Sequence, residues 1–213
     1  TFAELFSTTK CLASRYRPVG KRIAVVSNGG GPGVLAADSA TSIGLELGRL
    51  SPANAAELAT KLLPLASLTD LIDLSEDAVA EHYRAAIDAA DADPGIDGVL
   101  AIHSPVTGID PTAVARAMIE GKRGMRKPLL CCWMGGASVS TARAQFTESS
   151  IPTFRSPESA VGAFGNIAAF YQNQRLLQQT PPPMSTLAKP DIEGARLVIE
   201  SVLAERRQVL TEM

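Results

Sequence analysis

The chain has 213 residues, 46% of them apolar, which is enough for one substantial core. Its 20 basic and 22 acidic residues leave a formal charge of -2, which excludes a general field able to hold a nucleic-acid backbone. The apolar runs at 98–102 and 129–134 are far too short to cross a bilayer and the opening residues lack the form of a signal peptide, so a cytoplasmic protein is expected.

In chain order, short β-rich runs alternate with longer Ala- and Leu-rich stretches over the first 180 residues. That alternation predicts a parallel sheet with helices on both faces. Strands are expected at 22–27, 45–47, 71–73, 98–103, 128–133 and 153–154, mostly as continuous apolar runs suited to strands buried on both sides. Between them, Pro32 marks a first helical turn ahead of a helix over 34–42, and further helices are expected at 52–62 and 76–91. Asp110 before Pro111 is an N-cap signature for a helix with Val114, Ala117 and Met118 on one face. Helices at 138–149 and 157–177 complete the pattern.

Three prolines in the run Thr180-Pro181-Pro182-Pro183 then favour an extended spacer. The expected organisation is a domain over 1–179, a linker over 180–190 and a helix over 191–213, opened by Asp191 as cap. Its apolar residues Ile192, Ala195, Ile199, Val202 and Leu203 share one face. The chain starts at Thr1 and stops soon after a helical pattern, as a piece of a larger protein would. Cys11, Cys131 and Cys132 read as free, mostly buried thiols.

Ligands of open parallel sheets bind outside the carboxyl ends of the strands, so the loops leaving those ends carry the functional reading. The first holds Asn28, Gly29, Gly30, Gly31, Gly33 and Val34, with Pro32 in the turn. Its glycines are expected to turn with positive φ and to leave no Cβ between the backbone and a ligand. The helix beginning there offers free N–H groups and a positive dipole end to a phosphate or similar anion. Close helix–sheet packing is the plainer explanation of the same glycines. Gly31, Gly33 and Ala36 match the dinucleotide pattern G-x-G-x-x-G/A only formally, because Pro32 sits in the turn and Glu46 falls inside a strand. No Gly-Lys-Ser/Thr follows, which excludes a P-loop.

A second glycine loop contains Gly135, Gly136 and Ser138, and a third contains Ser104, Thr107 and Gly108. Each is as well explained as an ordinary surface loop. His103 ends a strand at the functional edge, but no carboxylate or second histidine stands at a spacing that marks a base or a metal ligand. A structural role is expected for it, and a solvated surface position for His82. No metal site is expected.

The run Ser27-Asn28-Gly29-Gly30-Gly31-Pro32-Gly33-Val34-Leu35-Ala36-Ala37-Asp38 resembles the T-N-x-G-G-P-G-V-L-A-A-D signature of NDP-forming acetyl-CoA synthetases and of the synthetase-like region of protein lysine acetyltransferases. Ile72-Asp73-Leu74 resembles the end of that family's N-P-x-D-L segment, and the stretch 93–105 its D-P-x-x-D-x-x-L-x-x-x-x-P strand. The stretch 127–136 resembles K-P-x-L-x-x-x-x-G-G, and 150–158 resembles G-I-P-x-x-x-x-P-E. A more distant likeness is to the C-terminal domain of the succinyl-CoA synthetase β subunit. Asp70-Leu71 stands where the family has Asn-Pro, which puts a contact of that asparagine in doubt.

The resemblance implies a three-layer, flavodoxin-like, doubly wound α/β domain with a C-terminal helical extension. It implies a reaction in which acid, CoA and a nucleoside triphosphate give acyl-CoA, through an acyl phosphate and a phosphohistidine. The histidine-bearing and CoA-binding domains and an ATP-grasp domain are the implied partners, and CoA, nucleotide and magnesium are expected on them, with no cofactor held tightly here. The implied task of this domain is to oppose the charge of the phosphohistidine with the glycine-rich helix start, and no catalytic residue is assigned to it. Self-association, the acid substrate and the choice of ADP or GDP stay open. A non-catalytic module that senses a phosphate-bearing metabolite is the alternative. A receiver domain is disfavoured because the strand ends at His103-Ser104 where an aspartate is needed, and a flavin carrier because only 5% of residues are aromatic.

Overall fold

A computed structural model describes residues 2–14, 16–179 and 190–206. The chain divides into two compact units, Thr1–Leu177 and Gln178–Met213. Most of the expected proline linker, and the end of the expected last helix, lie outside the described residues.

In the first unit the order is α1 (Phe2–Ala13), β1 (Arg22–Ser27), α2 (Gly30–Ser42), β2 (Glu46–Leu47), α3 (Pro52–Ala59), β3 (Ile72–Asp73), α4 (Ala80–Ala92) and β4 (Gly98–His103). Then come α5 (Pro111–Lys122), β5 (Leu129–Trp133), a short 3-10 turn (Ala137–Val139), α6 (Ser140–Glu148), β6 (Thr153–Phe154) and α7 (Pro157–Leu177). Every strand pairing is parallel, in the order β2-β1-β4-β5-β6. β1 divides its outer edge, pairing Arg22 and Ile23 with β2 and Val26 and Ser27 with β3.

Continuous burial of β4 and β5 follows from helices on both faces. Alternate strand residues feed two cores. Ala24, Val26, Val99, Ala101, Leu129 and Cys131 face α3 to α6, whereas Ile23, Val25, Leu100, Ile102, Leu130 and Cys132 face α1, α2 and α7. This is the expected doubly wound layering. At Gly98 a Cβ would overlap the Phe164 ring, so only glycine lets α7 lie this close to β4. At the amino ends of β1 and β4, Asp97 accepts the Arg22 guanidinium twice, each at 2.9 Å, and the Arg22 backbone N–H at 3.0 Å. Hydrogen bonding to Arg22 holds the Asp97 carboxyl below the usual carboxylate range.

Helix starts match the sequence where a side chain caps them. Asp110 accepts from Thr112 N–H at 2.8 Å, and Ser51 accepts from Asn54 N–H ahead of Pro52. Three expectations need correction. α2 begins at Gly30 rather than near residue 34, because Gly29 serves as its N-cap without any side-chain bond. α4 begins at Ala80 rather than 76, after a turn in which Ser75 has φ 73. His82 is not a solvated residue: it is 8% exposed, and its Nδ1 accepts the Val79 N–H at 3.1 Å, capping α4. α1 has no counterpart in the sequence reading. It packs on α7, with Asn166 Nδ2 donating to Thr8 Oγ1 at 2.8 Å.

The second unit contains α8 (Ile192–Ala204), capped by Asp191, whose carboxylate accepts the Gly194 N–H at 2.8 Å. The three thiols are free and buried; burial pushes Cys11 and Cys132 up to about 12 and Cys131 well above its ordinary value, so none is a ready nucleophile. Among the described residues, no helix is long and apolar enough to cross a membrane.

Candidate functional site: the carboxyl edge between the first and fourth strands

From β1 the chain turns into α2 on one face, and from β4 it passes into α5 on the other. Their carboxyl ends therefore flank the switch point of the sheet, where such folds leave a crevice. Asn28 closes the floor of that crevice. Its Nδ2 donates to Ser104 O at 2.9 Å, and its Oδ1 accepts Ser104 N–H at 2.8 Å. The residue is 2% exposed, so its amide acts as a clamp between two loops and is already satisfied.

Above the clamp the glycines form the first turn of α2. None of Gly29, Gly30, Gly31 or Gly33 has positive φ, which corrects the expectation; the left-handed glycines of this edge are Gly108 and Gly135. What the first turn gains is bare backbone. Gly33 N–H closes the turn on Gly29 O at 3.2 Å, and Gly29 N–H is bonded to Ser27 Oγ at 3.1 Å. The N–H groups of Gly30 and Gly31 precede any intrahelical acceptor and Pro32 has none to offer, so this pair is left to point outward from the helix start. Both residues are exposed, and a Cβ at Gly31 would meet nothing within 4 Å. Val34 and Leu35 follow with 51% and 49% of their surface in water.

The neighbouring loops converge here. A Cβ at Gly29 would stand 3.2 Å from Ser104 Oγ, and one at Gly135 would stand 3.2 Å from Pro105 Cγ and 3.5 Å from Ser138 Oγ. The glycine turn, Ser104-Pro105 and the Gly135–Ser138 loop thus form one surface, with Gly136 and Ser138 exposed. Thr107 and Gly108 are exposed in their own turn, and no hydrogen bond ties them to either glycine loop.

Two charged residues of this edge are absent from the site expected from the sequence: Arg143, and Asp73 of the Ile72-Asp73-Leu74 segment. Arg143 of α6 donates to Trp133 O at 3.2 Å, Gly135 O at 2.9 Å and Gly136 O at 2.8 Å, fixing the second glycine loop. Asp73, at the end of β3, has Oδ2 3.6 Å from the Cβ position of Gly30, and its Oδ1 accepts Ser75 N–H at 3.0 Å. Because all strands are parallel, any polar residue ending one of them reaches this edge, and that rule was the available signal for Asp73.

His103 is buried completely. Tyr83 donates its hydroxyl to Ile102 O at 2.7 Å, so the contact of 3.2 Å between that hydroxyl and His103 Nδ1 requires the ring N–H to be the donor. Nε2 then carries the lone pair, without a partner, and burial lowers the pKa to about 4. The ring lies 5.3 Å from Trp133 and 5.8 Å from Tyr83, a packing role. Among the described residues no group of His, Cys, Asp and Glu could hold a metal ion. What the edge presents is the bare first turn of α2 beside the Ser104 and Ser138 hydroxyls and the Asp73 carboxylate.

No protein-family model matches the chain. It is 33% identical over 167 residues to the α subunit of acetate–CoA ligase [ADP-forming] II of Pyrococcus furiosus, covering 76% of this chain and 36% of that protein. It is 30% identical over 177 residues to the α subunit of the form I enzyme of the same organism, covering 81% and 37%. The chain thus spans little more than a third of the length of these relatives. Among solved structures, a Pyrococcus horikoshii OT3 protein matches with TM-score 0.77 and 29% identity, over 81% of this chain and 40% of that one. The dinucleotide-forming acetyl-coenzyme A synthetase 1 of Ca. Korarchaeum cryptofilum matches with TM-score 0.77 and 25% identity, over 88% and 40%. By sequence and by fold, the chain is related to the NDP-forming acetyl-CoA synthetases, as a homologue of one α/β domain of the ADP-forming acetate–CoA ligases.

Proposed function

We propose that the chain works as one domain of an NDP-forming acyl-CoA synthetase and that the start of α2 helps to hold a phosphorylated histidine presented by another domain. The observation that carries this reading is the pair of outward N–H groups of Gly30 and Gly31, exposed at the switch point. Donors already aligned at a helix start stabilise a phosphoryl charge without reorganising when it arrives. The relatives' activity as ADP-forming ligases supports the synthetase over a phosphate-sensing module, which would use the same turn. In this reading CoA, nucleotide and magnesium bind on other domains of the parent protein, and so does the histidine. The synthetase region of a fused lysine acetyltransferase would use the domain in the same way.

Asp73 adds a constraint, since its carboxylate stands beside Gly30 and opposes an incoming anion. Inorganic phosphate titrated into the chain should therefore shift the amide resonances of Gly30 and Gly31. Gly31→Glu should abolish those shifts, and Asp73→Asn should tighten binding by about threefold, the loss of one screened like charge. Phosphate that leaves the Gly30 and Gly31 amides unmoved would sink the proposal.

A further inference from the structure

At the opposite, amino-terminal edge of the sheet lies a groove of about 400 Å³ that the reading above does not use. Tyr16, Arg17, Lys122, Arg126, Ser149 and Ser150 line it, from the segment before β1, the end of α5 with its following loop, and the end of α6. A second hollow sharing Ser14, Ser150 and Ile151 extends it to Lys10. Among the described residues, no carboxylate lines either hollow, although the chain as a whole is slightly acidic.

The cations here lack a salt-bridge partner. Among the described residues, Arg17, Lys122 and Arg126 make no ion pair. The nearby acid, Asp91, spends its oxygens on the backbone N–H groups of Arg126, at 3.1 and 3.3 Å, and of Lys127, at 2.9 Å. Lys122 is half-buried; its ammonium lies 5.1 Å over the Tyr16 ring and reaches only the carbonyls of Met125 and Lys127, at 3.5 and 3.4 Å. Burial lowers its pKa, and the charge of Asp91 opposes that shift without cancelling it.

Ser150 carries a cost at the same place. Its φ is 57, and Ile151 N–H bonds Phe146 O at 2.8 Å while Ser150 N–H bonds Thr147 O at 3.1 Å. That is the αL helix end at which glycine avoids a penalty of about 1 kcal/mol. A serine there puts a hydroxyl on the groove instead.

We propose that this groove binds a small molecule through a diphosphate group, held by Arg17, Lys122 and Arg126 with the Ser149 and Ser150 hydroxyls. Three cations without carboxylate partners match a diphosphate better than a single phosphoryl group, whose charge is about -1.5 to -2 at neutral pH. The hollow also has the size of a small-molecule site, for which about 300–1,000 Å³ is usual.

Calorimetric titration of inorganic pyrophosphate into the 213-residue chain tests this. Arg17→Gln and Arg126→Gln should each weaken binding by about tenfold, as loss of a charge-assisted contact does. Two variants serve as controls: Arg123→Gln removes the same charge from an exposed neighbour outside the groove, and Gly31→Glu blocks the opposite edge. Arg123→Gln should change affinity by less than about twofold, and pyrophosphate binding sensitive to Arg17 and Arg126 should persist in the Gly31→Glu background. Absence of binding overturns the proposal, as does equal weakening by Arg123→Gln and Arg126→Gln, which would mean a diffuse field. Loss of binding in Gly31→Glu overturns it too, by locating pyrophosphate at the glycine turn. ADP in place of pyrophosphate separates the two sources of the group: similar affinity supports recognition of the diphosphate itself, and failure of ADP to compete with pyrophosphate overturns the idea that a diphosphate ester is accommodated.

Discussion

On the face covered by α3 to α6, the large side chains meet one another. Trp133 packs edge-on against Phe146 with ring centres 4.6 Å apart, donates its indole N–H to Pro111 O at 3.2 Å and borders His103 and Tyr83, all of them buried. On the face covered by α1, α2 and α7, the strands are covered by Ala36, Ala40, Ala160, Ala163 and Ala168 together with Val161, Phe164 and Ile167, and Phe164 is the large ring there. The outer sides of these helices leave Phe2, Leu5, Phe6, Leu35 and Phe170 in water. Among the described residues, the second face carries the more exposed apolar surface, and it is the face from which the glycine turn of α2 emerges.

The largest effect that can break this comparison is a cavity. Trp133→Ala should cost about 3–5 kcal/mol by urea denaturation, from lost burial and an orphaned Pro111 carbonyl. A cost below about 1 kcal/mol would show that the aromatic face is not the stabilising one. Next comes a pH effect specific to that face. Buried His103 has its pKa lowered to about 4, whereas an unfolded histidine titrates near 6.5, so the unfolded state takes up the proton first. The stability that neutral His103 contributes is complete above about pH 6.5 and is lost as pH falls towards about 4, amounting to about 3 kcal/mol in all. Urea midpoints followed from pH 7 to 5 should fall for the native chain and fall less for His103→Gln; parallel curves would count against a buried neutral imidazole. The smallest effect belongs to the other face: Phe170→Ala, at a side chain 43% exposed, should change stability by less than about 1 kcal/mol. A loss as large as that of Trp133→Ala would erase the distinction.

The residues made some of this legible and hid the rest for physical reasons. β4 and β5 were plain because a strand buried on both sides has to be apolar throughout. α5 was plain because Asp110 and Pro111 announce its start with a side chain and a fixed φ. α2 starts on glycines that carry no capping atom, so its boundary slipped by about one turn, and the missing side chains were mistaken for left-handed turns. α1 is defined by its packing on α7, which no local pattern reports. At the carboxyl edge, Asn28 and Ser104 could be placed near one another from strand order, but their reciprocal hydrogen bonds depend on a separation of 76 residues. Asp73 is likewise remote in sequence from Gly30, whereas Arg143 stands only eight and seven residues from Gly135 and Gly136 and was hidden because its side chain folds back on their carbonyls, which no local pattern reports.

The divided outer edge of β1 has a mechanical consequence. β4 holds β1 along five register pairs, while β3 grips only its last two residues and β2 its first two. In the proposed reading, the acid that would oppose an anion thus sits on a two-residue edge strand, anchored by buried Ile72 and Leu74, and the donors that would attract one sit on the frame held by β4.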